Sequence, residues 1–263
     1  MGEGHIISYD KIQEYLASLK VTALPEPIYG SLTFKRAFWV IASAIFANQV
    51  FGLSLWAYYD FDDVQTNYNY HLISGFVGLG WYVIVTVLIL ADLENNRVLP
   101  NRVFALSWKK LQETRPTLIK YFGIMAITMI LLSTIMPSES LIPDISSPLI
   151  TALVIISTVV AAPICEEIWF RGYLYSAGFS IFRRPRERMV VNAMLFAAAH
   201  VFLVTFFLGA GVPYYIFVLG YLIAHLYETS RSILPCILLH ALNNGLALIL
   251  EYLDPYTLVG FSR

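Results

Sequence analysis

The stretch Cys165–Ser176, CEEIWFRGYLYS, sets two adjacent glutamates and an arginine beside tryptophan, phenylalanine and a long apolar run. What these charges do depends on the medium around the segment. Of 263 residues, 58% are hydrophobic and 13% charged, whereas soluble domains carry roughly 25% charged residues. The mean hydropathy is +0.66. A chain this apolar cannot hide its surface from water, so Glu166, Glu167 and Arg171 belong to a membrane-spanning helix in a single bundle.

A spanning helix needs about 20 predominantly apolar residues. Seven stretches fit: 37–58, 71–91, 118–136, 148–173, 189–208, 212–227 and 233–253. The sixth is short and opens at GVPYY, where Gly211 and Pro213 break the preceding helix. The expected fold is all-α, a polytopic integral-membrane bundle of about seven transmembrane helices. Basic residues alternate along it. Lys11, Lys20, Lys35 and Arg36 precede the first span, and Arg97, Arg102, Lys109, Lys110, Arg115 and Lys120 follow the second. Arg183, Arg184, Arg186 and Arg188 follow the fourth, and Arg231 the sixth, while the connections between these carry none and the first of them holds Asp60, Asp62 and Asp63. By the positive-inside rule the N-terminus is cytoplasmic and the C-terminus outside.

The organisation that follows is a cytoplasmic arm at 1–36, a three-helix membrane region at 37–146, a second membrane region at 147–253 and a short tail at 254–263. In the arm, Ile7, Ile12, Tyr15, Leu16 and Leu19 fall near helical spacing and predict a short helix on the membrane surface. The start lacks the layout of a cleavable signal. ENNRVLPNRVFALSWKKLQETRP reads as a cytoplasmic connection with an interfacial helix around Phe104–Gln112. Short loops and a compact plan point to a prokaryotic inner membrane. A net charge of -1 gives no nucleic-acid footprint. The two cysteines, Cys165 and Cys236, both lie in apolar stretches, which excludes a secreted disulfide framework.

Ionisable groups at membrane depth cost roughly 2.5–3.5 kcal/mol each near a helix centre and usually face the bundle interior. The fourth span carries Glu166, Glu167 and Arg171, the fifth His200, the sixth His225, and the seventh His240 with Asn243 and Asn244. With Arg183–Arg188 marking the cytoplasmic side and a rise of about 1.5 Å per residue, Glu166 lies roughly 10 Å inside the end of the fourth span, His240 a similar distance inside the seventh, and His200 somewhat deeper. One pocket in the cytoplasmic half of the bilayer can hold all three. Glu167 and Arg171 are four apart with the acid first, the favourable order for a helical ion pair. Glu166 points about 100° away around the helix, so the arginine need not neutralise it. Pro163 removes a backbone donor just before it and predicts a kink. His240 and Asn244 share a face, Asn243 is turned away, and Phe196 stacks one turn before His200.

The three spacings, E-E-x-x-x-R, F-x-x-x-H and H-x-x-x-N in chain order, resemble the CPBP family, the CAAX-type prenyl endopeptidases and bacteriocin-processing intramembrane proteases. The resemblance covers about residues 147–250. It implies a glutamate-dependent membrane endopeptidase without a cofactor, in which Glu166 and His200 activate water and His240 and Asn244 stabilise the oxyanion. Glu167 and Arg171 would brace the motif, and Phe196 would shape the pocket wall. The implied partners are the lipid bilayer and a membrane-associated or lipidated peptide tail: family substrates include prenylated C-terminal tails, bacteriocin precursors and sorting tails. The chemistry agrees, since amide hydrolysis needs a base beside the water and donors aimed at the developing oxyanion.

Rival readings use the same residues. Glu166, His200 and His240 form a two-histidine, one-carboxylate set of the kind that binds zinc with a water in the open position, although the zincin H-E-x-x-H is absent. A buried ion-pair cluster in a non-enzymatic immunity or scaffold protein would also keep these charges. A proton-coupled transporter predicts paired broken helices in the two halves, and the first three spans show no counterpart. His225 matches no motif and reads as a packing residue. Cys165 points away from Glu166, and Ser176 lacks a serine-protease context.

Overall fold

The computed structural model describes residues 32–59, 67–135, 147–208 and 211–252. The surface helix expected near Ile7–Leu19, the tail at 254–263 and the aspartates at 60, 62 and 63 lie outside these residues. Seven long helices appear among them: α1 (Phe34–Tyr58), α2 (Tyr68–Asn95), α3 (Trp108–Ile135), α4 (Pro148–Gly178), α5 (Pro185–Leu208), α6 (Gly211–Ser230) and α7 (Ile233–Tyr252), with one extra turn at Pro100–Val103. No strand occurs among the described residues. Over those residues, α1, α2, α4 and α7 are long and apolar enough to cross a membrane. The all-α bundle expected from composition is the fold observed.

Local chemistry sets the helix ends. Thr33 and Asn67 cap α1 and α2 through their side-chain oxygens, which accept from the backbone N–H groups of Arg36 and Tyr70. Pro148 and Pro185 open α4 and α5, where a missing N–H costs nothing. Past α2, the N–H of Val98 donates to the Leu93 carbonyl and that of Arg97 to Glu94, both at 2.9 Å. This is a Schellman closure, with Arg97 at φ 56° in place of the usual glycine.

Large apolar side chains cover the outside: Trp39, Phe46, Val83 and Ile127 are each at least 60% exposed. In water that surface would drive aggregation; against acyl chains it is the expected coat. Inside, α4 is the common wall of two cores. Phe170 and Leu174 of α4 pack with Ile41 of α1 and with Val85, Ile89 and Leu93 of α2. On its other side, Tyr175 joins Met125 of α3, Ile223 and Leu226 of α6, and Cys236 and Leu239 of α7.

The basic connections share one face of the bundle. Phe34 N–H donates to Ser180 Oγ at 3.1 Å, its ring meets Phe182 at 5.2 Å, and Tyr227 OH donates to the Val103 carbonyl at 3.1 Å. The alternation of Lys and Arg along the chain requires such a convergence. The interfacial helix expected at Phe104–Gln112 does not form as a separate element. Phe104–Ser107 is non-helical, and α3 begins at Trp108. The reason is backbone pairing with the α6–α7 turn. The Ala105 carbonyl accepts from Ile233 N–H at 3.0 Å and Ser232 Oγ at 2.8 Å, while Ser107 N–H donates to Ser232 Oγ at 3.1 Å.

Helix α4 is not uniform. Two π-helical segments, Ile156–Ala161 and Ile168–Tyr175, flank the α-helical piece Ala162–Glu167 that contains Pro163. The sequence predicts an irregularity at Pro163; the structure resolves it as wider i→i+5 turns on both sides. Each wider turn changes which residues share a face, and the glutamate pair sits on the α-helical piece between them.

Asp92 ties the N-terminal helices to α4. It is buried near the end of α2, accepts from Arg36 Nε of α1 at 2.6 Å, and accepts from Tyr173 OH of α4 at 2.6 Å.

Candidate active site

Three helices meet around Glu166. Its Oε2 lies 3.6 Å from His200 Nε2 on α5 and 4.0 Å from His240 Nε2 on α7. Its Oε1 accepts from Tyr82 OH on α2 at 3.2 Å. Oε2 is buried and has no hydrogen-bond partner among the described residues. The side chain is nevertheless 12% exposed and that of His200 30%, whereas Glu167 and Arg171 are fully buried. Of the two adjacent acids, only Glu166 is partly exposed.

The ring partners fix where the imidazole protons sit. His200 Nδ1 lies 2.7 Å from the Phe196 carbonyl oxygen, and His240 Nδ1 lies 2.8 Å from Glu167 Oε1. A carbonyl accepts only, and so does a carboxylate paired with arginine, so each Nδ1 carries the hydrogen. Both Nε2 atoms then face Glu166 Oε2. In the neutral rings these are lone pairs opposite a third lone pair. A shared proton or a donating water relieves that opposition.

Glu167 is neutralised elsewhere. Arg171 Nη1 donates to its Oε1 at 3.0 Å, as the i, i+4 spacing predicts, and Nη2 donates to the Gly220 carbonyl of α6 at 3.0 Å. The guanidinium lies 4.4 Å above the Phe196 ring, a cation–π contact in a dry site. The same ring stands 4.7 Å from the His200 ring and 5.7 Å from the His240 ring. One ring thus packs against both imidazoles and the guanidinium.

Gly220 lets α6 come close enough for this. A Cβ there would stand 3.1 Å from Phe196 Cδ1 and 3.3 Å from Ala193 Cα on the α5 backbone. Gly220→Ala is expected to destabilise the fold by about 1–3 kcal/mol through overpacking. The measurement is the melting midpoint in detergent; an unchanged midpoint would show that the two helices separate freely.

Asn244, expected beside His240, has turned its amide to α4: Nδ2 donates to the Thr158 carbonyl at 2.9 Å, inside the first π segment. Oδ1 accepts weakly from Asn243 Nδ2 at 3.4 Å. One amide hydrogen of Asn244 is left by these contacts. Asn243 is buried and accepts from Tyr215 OH at 2.5 Å, the packing role its position predicts. His225 pairs with Tyr121 OH of α3 through Nδ1 at 2.9 Å, away from Glu166. Cys165 is a half-buried free thiol, and Ser176 is buried against Tyr227 OH at 3.2 Å.

The sequence did not point to Tyr82, Thr86 or Asn192. Trp169 Nε1 donates to Thr86 Oγ1 at 3.0 Å, and Asn192 Nδ2 donates to the Phe170 carbonyl at 2.8 Å. The available signal was weak: one hydroxyl-bearing residue per turn, at 82 and 86, in the otherwise apolar stretch 75–91. As for a metal, the donor types of Glu166, His200 and His240 suit zinc. Among the described residues no group of three His, Cys, Asp or Glu side chains is gathered closely enough to hold an ion.

No curated protein and no solved structure matches the chain. Residues 148–246 match the family model described as type II CAAX prenyl endopeptidase Rce1-like, which begins at α4 and ends in α7 beyond Asn244. That segment contains the convergent acid and both imidazoles. Over that segment, somewhat more than a third of the chain, the sequence is similar to the type II CAAX prenyl endopeptidases.

Proposed function

We propose that this protein is an intramembrane endopeptidase that cleaves a peptide bond in a membrane-associated or lipidated tail by means of a water activated between Glu166 and His200. One observation supports the reading above all others. Glu166 has an oxygen aimed at two imidazoles, 3.6 and 4.0 Å away, while its neighbour Glu167 is already paired with Arg171.

A water near Glu166 Oε2 and His200 Nε2 loses a proton to the carboxylate as its oxygen adds to the peptide carbonyl. The new C–O bond places negative charge on the carbonyl oxygen. His240, held by Glu167 at Nδ1, meets that charge when Nε2 also carries a proton, and the remaining Asn244 N–H supplies a second donor. The proton held by Glu166 then passes to the leaving nitrogen as the C–N bond breaks. The products are a carboxylic acid and an amine, which exchange the remaining water proton to become carboxylate and ammonium, and Glu166 is regenerated. No step needs a metal or other cofactor.

The substrate class follows from the medium and from a cavity. A pocket of about 390 Å³ opens between α1, α4 and α5, lined by apolar side chains that include Phe38, Ile41, Phe46, Phe170 and Ala199. Ala199 directly precedes His200. A lipid chain on the substrate would suit such a wall. The basic face is proposed to be cytoplasmic, with the N-terminus on that side and the site in the same half of a prokaryotic inner membrane.

The test uses the purified protein in detergent with a peptide ending in a prenylated cysteine and three further residues, alongside an unlipidated copy and an acylated one. Release of the C-terminal fragment from a lipidated peptide is expected, unchanged by chelator and without stoichiometric zinc on the protein. Loss of activity on chelation with recovery on adding zinc would overturn the metal-free mechanism. Failure to cut any of the three peptides would count against the substrate class.

A further inference from the structure

We infer that Tyr82, on α2 and outside the matched segment 148–246, is a positioning residue that aims Glu166 at the two imidazoles. The inference rests on the reading of Glu166 as the proton acceptor. Glutamate has three freely rotating side-chain bonds, so an acid in a cavity points where its partners hold it. The Glu166 Oε1 atom accepts from the Tyr82 phenol at 3.2 Å. With that oxygen engaged, the other is left facing His200 Nε2 and His240 Nε2.

The phenol is itself held. Its ring lies 5.4 Å from the Trp169 ring, tilted by 36°. One turn further along α2, Thr86 Oγ1 accepts from Trp169 Nε1 at 3.0 Å. Residues 82 and 86 on one helix thus address residues 166 and 169 on the other, and only the first pair touches the acid. That difference separates a role in chemistry from a role in packing. Replacing Tyr82 by phenylalanine removes one oxygen and keeps the ring against Trp169. Replacing Thr86 by valine breaks the neighbouring bond and leaves Glu166 untouched.

Both variants are purified in detergent and compared with the native protein and with Glu166→Gln for kcat, KM and melting transition, using the lipidated peptide that is cut best. Tyr82→Phe is expected to lower kcat about tenfold, the scale of one lost hydrogen bond to a charged group, with KM within about twofold. Thr86→Val is expected to leave kcat within about twofold, well below the loss from a bond to a charged group. A native kcat in Tyr82→Phe while Glu166→Gln is inactive would overturn the positioning role and leave the protease reading standing. An active Glu166→Gln would remove both. A Tyr82→Phe protein without a cooperative melting transition, or a Thr86→Val protein slowed as much as Tyr82→Phe, would make Tyr82 a brace between helices and overturn the proposal.

Discussion

Glu166→Gln is expected to lower kcat by about 10³-fold, the middle of the range for removing a general base, with the melting transition preserved. Glutamine has the same length and can still accept from Tyr82 OH through its oxygen, so the α2–α4 contact at 3.2 Å survives. What it cannot do is take a proton from water. Its amide nitrogen would face the two Nε2 atoms that now lie 3.6 and 4.0 Å from Oε2 and could donate to one of them. The substitution therefore relieves the crowding of lone pairs, and stability should hold or rise slightly. A structural ion-pair cluster predicts something different, because loss of a buried acid from a brace weakens the fold without any catalytic signature. Measured kcat for the lipidated peptide, with the melting curve alongside, decides between them. Full activity in Glu166→Gln removes the acid from the mechanism.

How much of this site could be read from the chain depends on what each residue costs in a membrane. Glu166, His200 and His240 stood out because charge at depth is rarely tolerated without a reason, and the structure brings all three within 4.0 Å of one oxygen or closer. The Glu167–Arg171 pair was legible for another reason, since a spacing of four is local and survives even where α4 turns π-helical. Tyr82 and Thr86 were not legible. Hydroxyls are cheap in a spanning helix, and their meaning comes only from the tertiary pairing of α2 with α4.

The same limit applies to backbone. Nothing local in ISTVVA or IWFRGYLY announces wider turns, so the turn of Asn244 toward the Thr158 carbonyl could not be foreseen. Phe104–Ser107 has a plausible amphipathic pattern, yet its carbonyl and amide groups find better partners in the α6–α7 turn. Nothing in the sequence marked Asp92; its burial depends on Arg36 and Tyr173, far away in the chain.

Arg171→Met is expected to destabilise the protein by about 3–5 kcal/mol, the cost of leaving a buried charge without its partner. Arg171 and Glu167 are both fully buried, and the guanidinium also holds the Gly220 carbonyl and covers the Phe196 ring. Methionine fills much of the volume but leaves Glu167 with only His240 Nδ1 at 2.8 Å. The double variant Arg171→Met with Glu167→Gln removes both charges, and most of the lost stability should return, because a neutral pair of similar size avoids the desolvation cost. Activity should not return with it. Glutamine can still accept from His240 Nδ1, but a bond to a neutral amide is weaker than one to a carboxylate, so the ring is held less firmly. A loosely held His240 donates poorly to the oxyanion, and kcat should stay about 10²-fold below native, the scale of one missing oxyanion donor. Thermal melting in detergent reads the first effect and peptide cleavage the second. Recovery of both in the double variant would mean that the buried pair only holds the fold, and that Glu167 contributes nothing to the chemistry of His240.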